Sequence, residues 1–218
     1  MFTGCINYHY IRGLRDARNK FWHTSLGTQV WVHEFGYHGD NRNPTGNLHA
    51  ASDDDFPGFP SMTKLLMVCM GNICRSPMAQ VVTLHLARQA DLAHALQVDS
   101  AGTHAGRFSE PPDPRAKAVL TQYGYAMGKA RSRQVAEQDF GRYDLILGMD
   151  QANMRDLRQL CPPEHAHKLR LFLEFARETD LVEVPDPYYG AAEGFERVLT
   201  LCETGARGLI AHLKNTPG

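Results

Sequence analysis

Leu65-Leu66-Met67-Val68-Cys69 is a run of five apolar residues with no alternation. A strand with one wet face alternates apolar and polar side chains. A continuous run instead belongs inside a parallel sheet whose two faces are both covered by helices. The residues that follow supply those helices. Pro77 to Gln89 reads as a helix, with Pro77 suited to an early helical position. Gln97 to Ala101 reads as a second strand and Pro114 to Tyr123 as a second helix. Asp144 to Met149 is a third strand, Asp150 to Leu160 a helix capped by its aspartate, and Leu169 to Leu173 a fourth strand. Gly194 to Leu213 closes the chain as a long helix, with Val198, Leu201, Cys202, Gly205, Leu209 and Leu213 at helical spacing. The alternation predicts an α/β fold: a four-stranded parallel sheet flanked by helices on both faces.

This patterning begins near Met62. Residues 1–61 hold Trp22, Trp31 and five of the eleven histidines, and show little sustained period beyond a brief alternation from Thr28 to Phe35. They close with Ala51 to Pro60, a charge and turn cluster that reads as a linker. The division is therefore an extension, 1–61, and a working domain, 62–218. The extension is expected to be a disordered tail or translated upstream sequence with the natural start at Met62. An interaction arm built on Trp22 and Trp31 is the alternative. Metal binding by His9, His23, His33, His38, His49 and Cys5 fits no site template.

The formal net charge is −1 in 218 residues, without the basic stripe of a nucleic-acid binder. No run approaches the ~18 apolar residues that a membrane span requires, and the N-terminus lacks a signal-peptide pattern. Five cysteines, with no C-x-x-C pair, do not make a secreted disulfide framework or a structural zinc site. A reducing cytoplasm is the expected compartment, where a cysteine matters for its reactivity.

The chemistry lies in Val68-Cys69-Met70-Gly71-Asn72-Ile73-Cys74-Arg75-Ser76-Pro77. A cysteine ends the buried strand, a short loop follows, and an arginine and a serine open a helix. The loop amides of residues 70–76 can turn inward as a nest, and the helix N-terminus adds partial positive charge, so this is a phosphate-binding loop placed after the first strand. Gly71 and Asn72 tolerate the left-handed backbone that a tight loop needs. Arg75 offers a planar fork for two phosphate oxygens. The field that draws phosphate also favours a thiolate, so Cys69 is expected to be the nucleophile, with Ser76 donating a hydrogen bond to its sulfur. The Lys-bearing nucleotide loop G-x-x-x-x-G-K-[ST] is absent.

A departing alkoxide or phenoxide needs a proton donor. Asp186, in Val184-Pro185-Asp186-Pro187-Tyr188-Tyr189-Gly190, is the candidate, fixed between two prolines. Tyr188 and Tyr189 offer an apolar wall for an aromatic leaving group.

Taken together, residues 62–218 resemble the low-molecular-weight protein-tyrosine phosphatases. The likeness rests on the Val68-to-Pro77 loop, Asp99-Ser100-Ala101-Gly102-Thr103 and Pro111-Pro112-Asp113-Pro114-Arg115. Arg133-Gln134, Met149-Asp150 with Asn153, and Asp186-Pro187-Tyr188-Tyr189-Gly190 complete it, all in the family's order. The resemblance implies Cys69 as nucleophile, Arg75 as phosphate clamp and Asp186 as general acid and then base, acting through a phosphocysteine without a cofactor. It further implies that Asn72, Ser76 and Ser100 hold the loop in shape, and that Cys74 can trap an oxidised Cys69 as a reversible disulfide. The chain departs from the family after Ser100-Ala101-Gly102-Thr103, where Gly106 stands at the position of a bulky cleft residue. Arg107 or Phe108 is expected to replace that wall, and Arg107 to favour acidic sequences around phosphotyrosine.

Two other readings share the loop. A thiol-dependent arsenate reductase needs further relay cysteines, for which Cys161 and Cys202 are the remaining candidates in the domain. A non-catalytic phosphotyrosine-binding module would keep Arg75 but could dispense with Cys69 or Asp186, and both are present. The implied partners are phosphotyrosine-containing proteins, a tyrosine kinase among them, met by a monomer that binds neither nucleic acid nor membrane.

Overall fold

A computed structural model describes residues 62–106 and 109–215. The readings made of residues 1–61, and the cleft roles expected of Arg107 and Phe108, lie outside the described residues.

Four parallel strands form one sheet in the order β2-β1-β3-β4: β1 (Thr63–Cys69), β2 (Leu96–Gly102), β3 (Leu145–Gly148) and β4 (Leu169–Leu171). β1 lies between β2 and β3, which is why its apolar run needs no alternation. Leu65 and Met67 enter one core cluster, Leu66 and Val68 the other, and all four are fully buried. Burying a side chain of this size contributes about 1.5–3 kcal/mol. The first cluster is closed by α1 (Arg75–Gln89), α2 (Pro114–Gln122) and α5 (Ala192–Asn215), through Met78, Val82, Leu120, Phe195, Val198 and Leu209. The second is closed by α3 (Glu137–Arg142) and α4 (Gln151–Leu160), through Phe140, Met154 and Leu157, with Tyr143 just beyond α3.

The predicted elements are present, with shifted ends. α1 starts at Arg75 rather than Pro77, so the proline occupies the first turn, where a missing N–H breaks no helical bond. Asp150 lies outside α4 as its cap, its Oδ1 accepting from the Asn153 amide at 2.7 Å. β4 is shorter than expected, because Phe172–Phe175 turns into a 3-10 helix that buries Phe172 and Leu173. Helix α3 has no counterpart in the sequence reading. Six residues are too few to show a period, and its support is tertiary: Phe140 is fully buried and the Asp139 carboxylate accepts from the Ala136 amide at 2.9 Å. No helix among the described residues is long and apolar enough to cross a membrane.

All four strands run in parallel, so their C-terminal ends share one edge of the sheet, where open α/β sheets bind ligands. Cys69 is the last residue of β1, beside Gly102 at the end of β2.

Candidate active site

Between Cys69 and α1 the chain folds into a tight loop whose carbonyls are engaged from outside. Thr103 donates its amide to the Cys69 carbonyl at 2.9 Å, His104 to Met70 at 2.8 Å, Asp113 to Ile73 at 2.8 Å and Met78 to Cys74 at 3.2 Å. With these carbonyls turned outward, the peptide planes present amides to the interior, the arrangement that makes a nest for an oxyanion. Asn72 makes the turn possible: its φ is 55°, in the left-handed region that asparagine tolerates. Gly71, expected to share that role, does not adopt a positive φ, and a Cβ there would meet only the Ile73 side chain at 3.6 Å. The glycine that the loop does require is Gly102. A Cβ on it would lie 2.5 Å from the Met70 carbonyl oxygen and 3.0 Å from the Asn72 nitrogen. Close approach of these two segments of the chain, which leaves no local mark in the sequence, dictates that residue.

Buried polar groups brace the loop. The Asn72 side-chain Nδ2 donates to Ser76 Oγ at 3.0 Å, while its Oδ1 accepts from the Arg133 backbone amide at 2.9 Å. Ser76 Oγ lies 3.0 Å from Cys69 Sγ and 3.2 Å from the Ala101 carbonyl. Asn72 fills a lone pair on that hydroxyl, so its one proton is left to serve either the sulfur or Ala101. Ser100 takes no part. Its hydroxyl donates to Gln80 on α1 at 2.7 Å, which corrects the expectation that it supports the loop. Arg133 is itself fixed by carboxylates, to Asp139 at 2.8 Å and to Asp99 at 3.0 Å, and Tyr143 donates to Asp99 at 2.8 Å. Burial alone would raise Asp99, but bonds from Tyr143 and the Ser100 amide, with the Arg133 charge, hold it below its usual value.

Arg75 is 2% exposed and joins three elements. Nη1 donates to Asp150 Oδ2 and to the Val184 carbonyl at 3.3 Å; Nη2 donates to Asp186 Oδ2 at 2.7 Å. Burial works against its charge, but Cys69 and the two carboxylates outweigh it and raise its pKa. The sequence reads Asp150 as a helix cap and as part of the Met149-Asp150 match to the family. It also pairs with Arg75, a contact that spans 75 positions and leaves no local signal.

Cys69, Met70, Gly71, Ile73, Cys74, Arg75, Asp186, Tyr188 and Tyr189 line one cavity of about 140 Å³. Cys69, 2% exposed, is held within it by Ser76, and Tyr188 packs edge-on against the almost fully exposed Tyr189, ring centroids 5.0 Å apart. The sequence-predicted residues Cys69, Arg75 and Asp186 thus meet around one space. Cys74 lies in the same lining, but burial, with Asp113 and Cys69 adding to it, pushes its pKa up to about 12. The other candidate relay cysteines are elsewhere: Cys202 is fully buried on α5, where burial raises its pKa, and Cys161 caps the far end of α4. Gly106 is exposed beyond β2. Among the described residues no cluster of three or more His, Cys, Asp or Glu side chains is placed to hold a metal ion.

Comparison with known proteins agrees with this geometry. Residues 64–217 match the family described as low molecular weight phosphotyrosine protein phosphatase. A low molecular weight protein-tyrosine-phosphatase from Streptomyces coelicolor is 41% identical over 154 residues, 69% of this chain and 93% of that protein. The crystal structure of a protein tyrosine phosphatase from Entamoeba histolytica, with Hepes in its active site, superposes with a TM-score of 0.68 at 37% identity. That match covers 70% of this chain and 97% of the other. A low molecular weight phosphotyrosine phosphatase from Vibrio cholerae O395 gives a TM-score of 0.66 at 41% identity over the same shares. A loop that ends its first strand on a cysteine, a buried arginine held between two aspartates, and a match across the described sheet and helices together show that this chain belongs to the low molecular weight phosphotyrosine protein phosphatase family.

Proposed function

We infer that this protein hydrolyses phosphotyrosine in proteins by two-step covalent catalysis. The observation that carries the reading is the convergence of Cys69, Arg75 and Asp186 on a single cavity walled by two tyrosines. The phosphoryl group sits on the inward amides, and Arg75 clamps its equatorial oxygens. Cys69 Sγ attacks phosphorus in line, the P–O bond to the phenol breaks, and Asp186 gives its proton to the departing oxygen. Asp186, then a carboxylate, takes a proton from water as that water attacks phosphorus. The S–P bond breaks, phosphate leaves and the cysteine thiolate is regenerated. Ser76, 3.0 Å from the sulfur, stabilises it as nucleophile and again as leaving group. Asp186 accepts a hydrogen bond from Arg75 at 2.7 Å. An entering phosphoryl group competes for that guanidinium and frees the carboxyl for the leaving-group oxygen.

Phosphotyrosine-bearing proteins, a tyrosine kinase among them, are the proposed partners. We place the working protein in the cytoplasm as a monomer, in line with its balanced charge and its free Cys69, Cys74, Cys161 and Cys202. The decisive experiment is rapid quenching of the enzyme with a phosphotyrosine peptide, followed by mass spectrometry. A phosphate adduct on Cys69, formed and lost within turnover, is expected; hydrolysis with no adduct on that residue would overturn the mechanism. An arsenate-dependent thiol-oxidation assay run alongside is expected to be negative. Proteins captured by a Cys69→Ser trap, probed for phosphotyrosine, identify the substrate.

A further inference from the structure

Asp186 lies on a segment with little burial of its own. Asp186, Tyr188, Tyr189, Gly190 and Ala191 are exposed, and of this run only Pro187 is buried. Exposed loops of this kind wander unless something holds them. Within the loop the bonds are local: the Tyr188 amide donates to Asp186 Oδ1 at 3.1 Å, and the Gly190 amide to the Pro187 carbonyl at 3.0 Å. These bonds shape the turn but do not fix it relative to the phosphate-binding loop.

Arg75 holds the Asp186 carboxylate at 2.7 Å; a second attachment, on the Tyr188–Gly190 side of the loop, comes from the start of α2. Asp113 is buried at 8% exposure and caps that helix, its Oδ1 accepting from the Arg115 amide at 2.8 Å. Its own amide donates to the Ile73 carbonyl at 2.8 Å, which pins it to the phosphate-binding loop. The Asp113 carboxylate receives the Arg115 guanidinium at two points, Nε to Oδ1 at 3.1 Å and Nη2 to Oδ2 at 2.8 Å. This pairing holds the carboxyl below the usual range. The other side of the same fork reaches the acid loop, Nη2 donating to the Tyr188 carbonyl at 3.0 Å and Nη1 to the Gly190 carbonyl at 3.3 Å. Beneath it the guanidinium carbon stands 4.6 Å from the centroid of the fully buried Phe195 ring, and it lies 5.7 Å from the Tyr188 ring. A planar, five-donor group gripped by a carboxylate on one side can present its remaining N–H bonds in only one direction.

We propose that Arg115 is a positioning residue for the general acid: through Asp113 it ties the Asp186–Gly190 loop to the Ile73 carbonyl of the phosphate-binding loop, and so sets where Asp186 and the Tyr188 wall stand relative to the leaving group. It touches no reacting atom. Residue 188 is the link, since its carbonyl is held by Arg115 while its amide holds Asp186. The proposal rests on Asp186 acting as the general acid.

The test compares kcat/KM for p-nitrophenyl phosphate, whose phenolate leaves readily, with that for phenyl phosphate, which needs the proton. Inorganic phosphate inhibition serves as a measure of the phosphate-binding loop alone. Arg115→Ala is expected to lower kcat/KM for phenyl phosphate roughly tenfold more than for p-nitrophenyl phosphate, the scale of a misplaced catalytic group. Phosphate inhibition is expected to stay within about twofold of wild type. Arg115→Lys keeps the charge and one donor direction and should recover part of the selective loss. It also carries the test if the alanine variant fails to fold. In an Asp186→Ala background, Arg115→Ala should add no further leaving-group selectivity. Equal loss on both substrates, a parallel loss of phosphate affinity, or a further selective loss when Arg115→Ala is added to Asp186→Ala would each overturn the proposal. A wild-type enzyme inactive on aryl phosphates would instead remove the phosphatase reading. Asp186→Ala that is selective, beside Arg115 variants that are not, removes only the role of Arg115.

Discussion

The phosphate-binding loop and the acid loop face each other across one cavity but are built in opposite ways. Asn72, Cys74, Arg75 and Ser76 are almost wholly buried, and the loop carbonyls are held by amides from three other parts of the chain. Asp186, Tyr188 and Tyr189 are exposed and depend on two arginines, Arg75 and Arg115, for their position. The difference separates two tasks. Recognition of a phosphoryl dianion wants dipoles that do not reorganise, and burial supplies them. Protonation of varied leaving groups needs a carboxyl that can change partners between Arg75 and a phenolic oxygen, which a buried, fully bonded carboxylate could not do.

Substitutions in each region should break this comparison in distinguishable ways. The largest effect is expected from Cys69→Ser, which should cost on the order of 10⁴ or more in kcat while vanadate or phosphate still binds. Calorimetric titration checks the second half, and lost anion binding would mean that the sulfur is itself part of the cradle. Asp186→Ala should lower kcat/KM for phenyl phosphate by about 10² to 10³, and for a dinitrophenyl ester by about tenfold or less. A uniform loss across leaving groups would remove the acid role.

Gly102→Ala attacks the other side. Its Cβ would press on the Met70 carbonyl, so good and poor leaving groups should suffer alike, by roughly tenfold, with about 1–3 kcal/mol of stability lost. Leaving-group selectivity in that variant would contradict the division of labour. The smallest effect concerns Cys74. Its folded pKa of about 12 lies above the ordinary 9.0, so its contribution to stability is complete below pH 9 and is lost as pH rises toward 12. At pH 10 the loss should be about 1 kcal/mol, and urea unfolding of Cys74→Ala should lack that component of the alkaline decline.

How much of this could be read from the residues alone follows from sequence separation. The strand Leu65–Cys69, the phosphate-binding loop and the cap Asp150 are each contiguous, and their patterns carry their own physics. The anchor that Asp150 gives Arg75, the closeness of Gly102 to Met70, and the reach of Arg115 to residues 188 and 190 are properties of the folded sheet edge. No local window contains them. Ser100 shows the same limit from the other side. It sits at the expected place on β2, yet its hydroxyl turns to Gln80 rather than to the loop. Helix α3 escaped because six residues held by Phe140 and Asp139 need no period of their own.

The sheet order has a consequence for the order in which the site comes into being. β1 lies between β2 and β3, and Arg75 bonds Asp186 across 111 positions. A ribosome adding about 5–20 residues per second takes on the order of 5–20 s to cover that distance. For that interval the growing chain carries its nucleophile and its arginine without Asp186, and for much of it without the strand that flanks β1. Among Cys69, Arg75 and Asp186 the acid is the last to be synthesised, and α5, which closes the core behind the phosphate-binding loop, follows it.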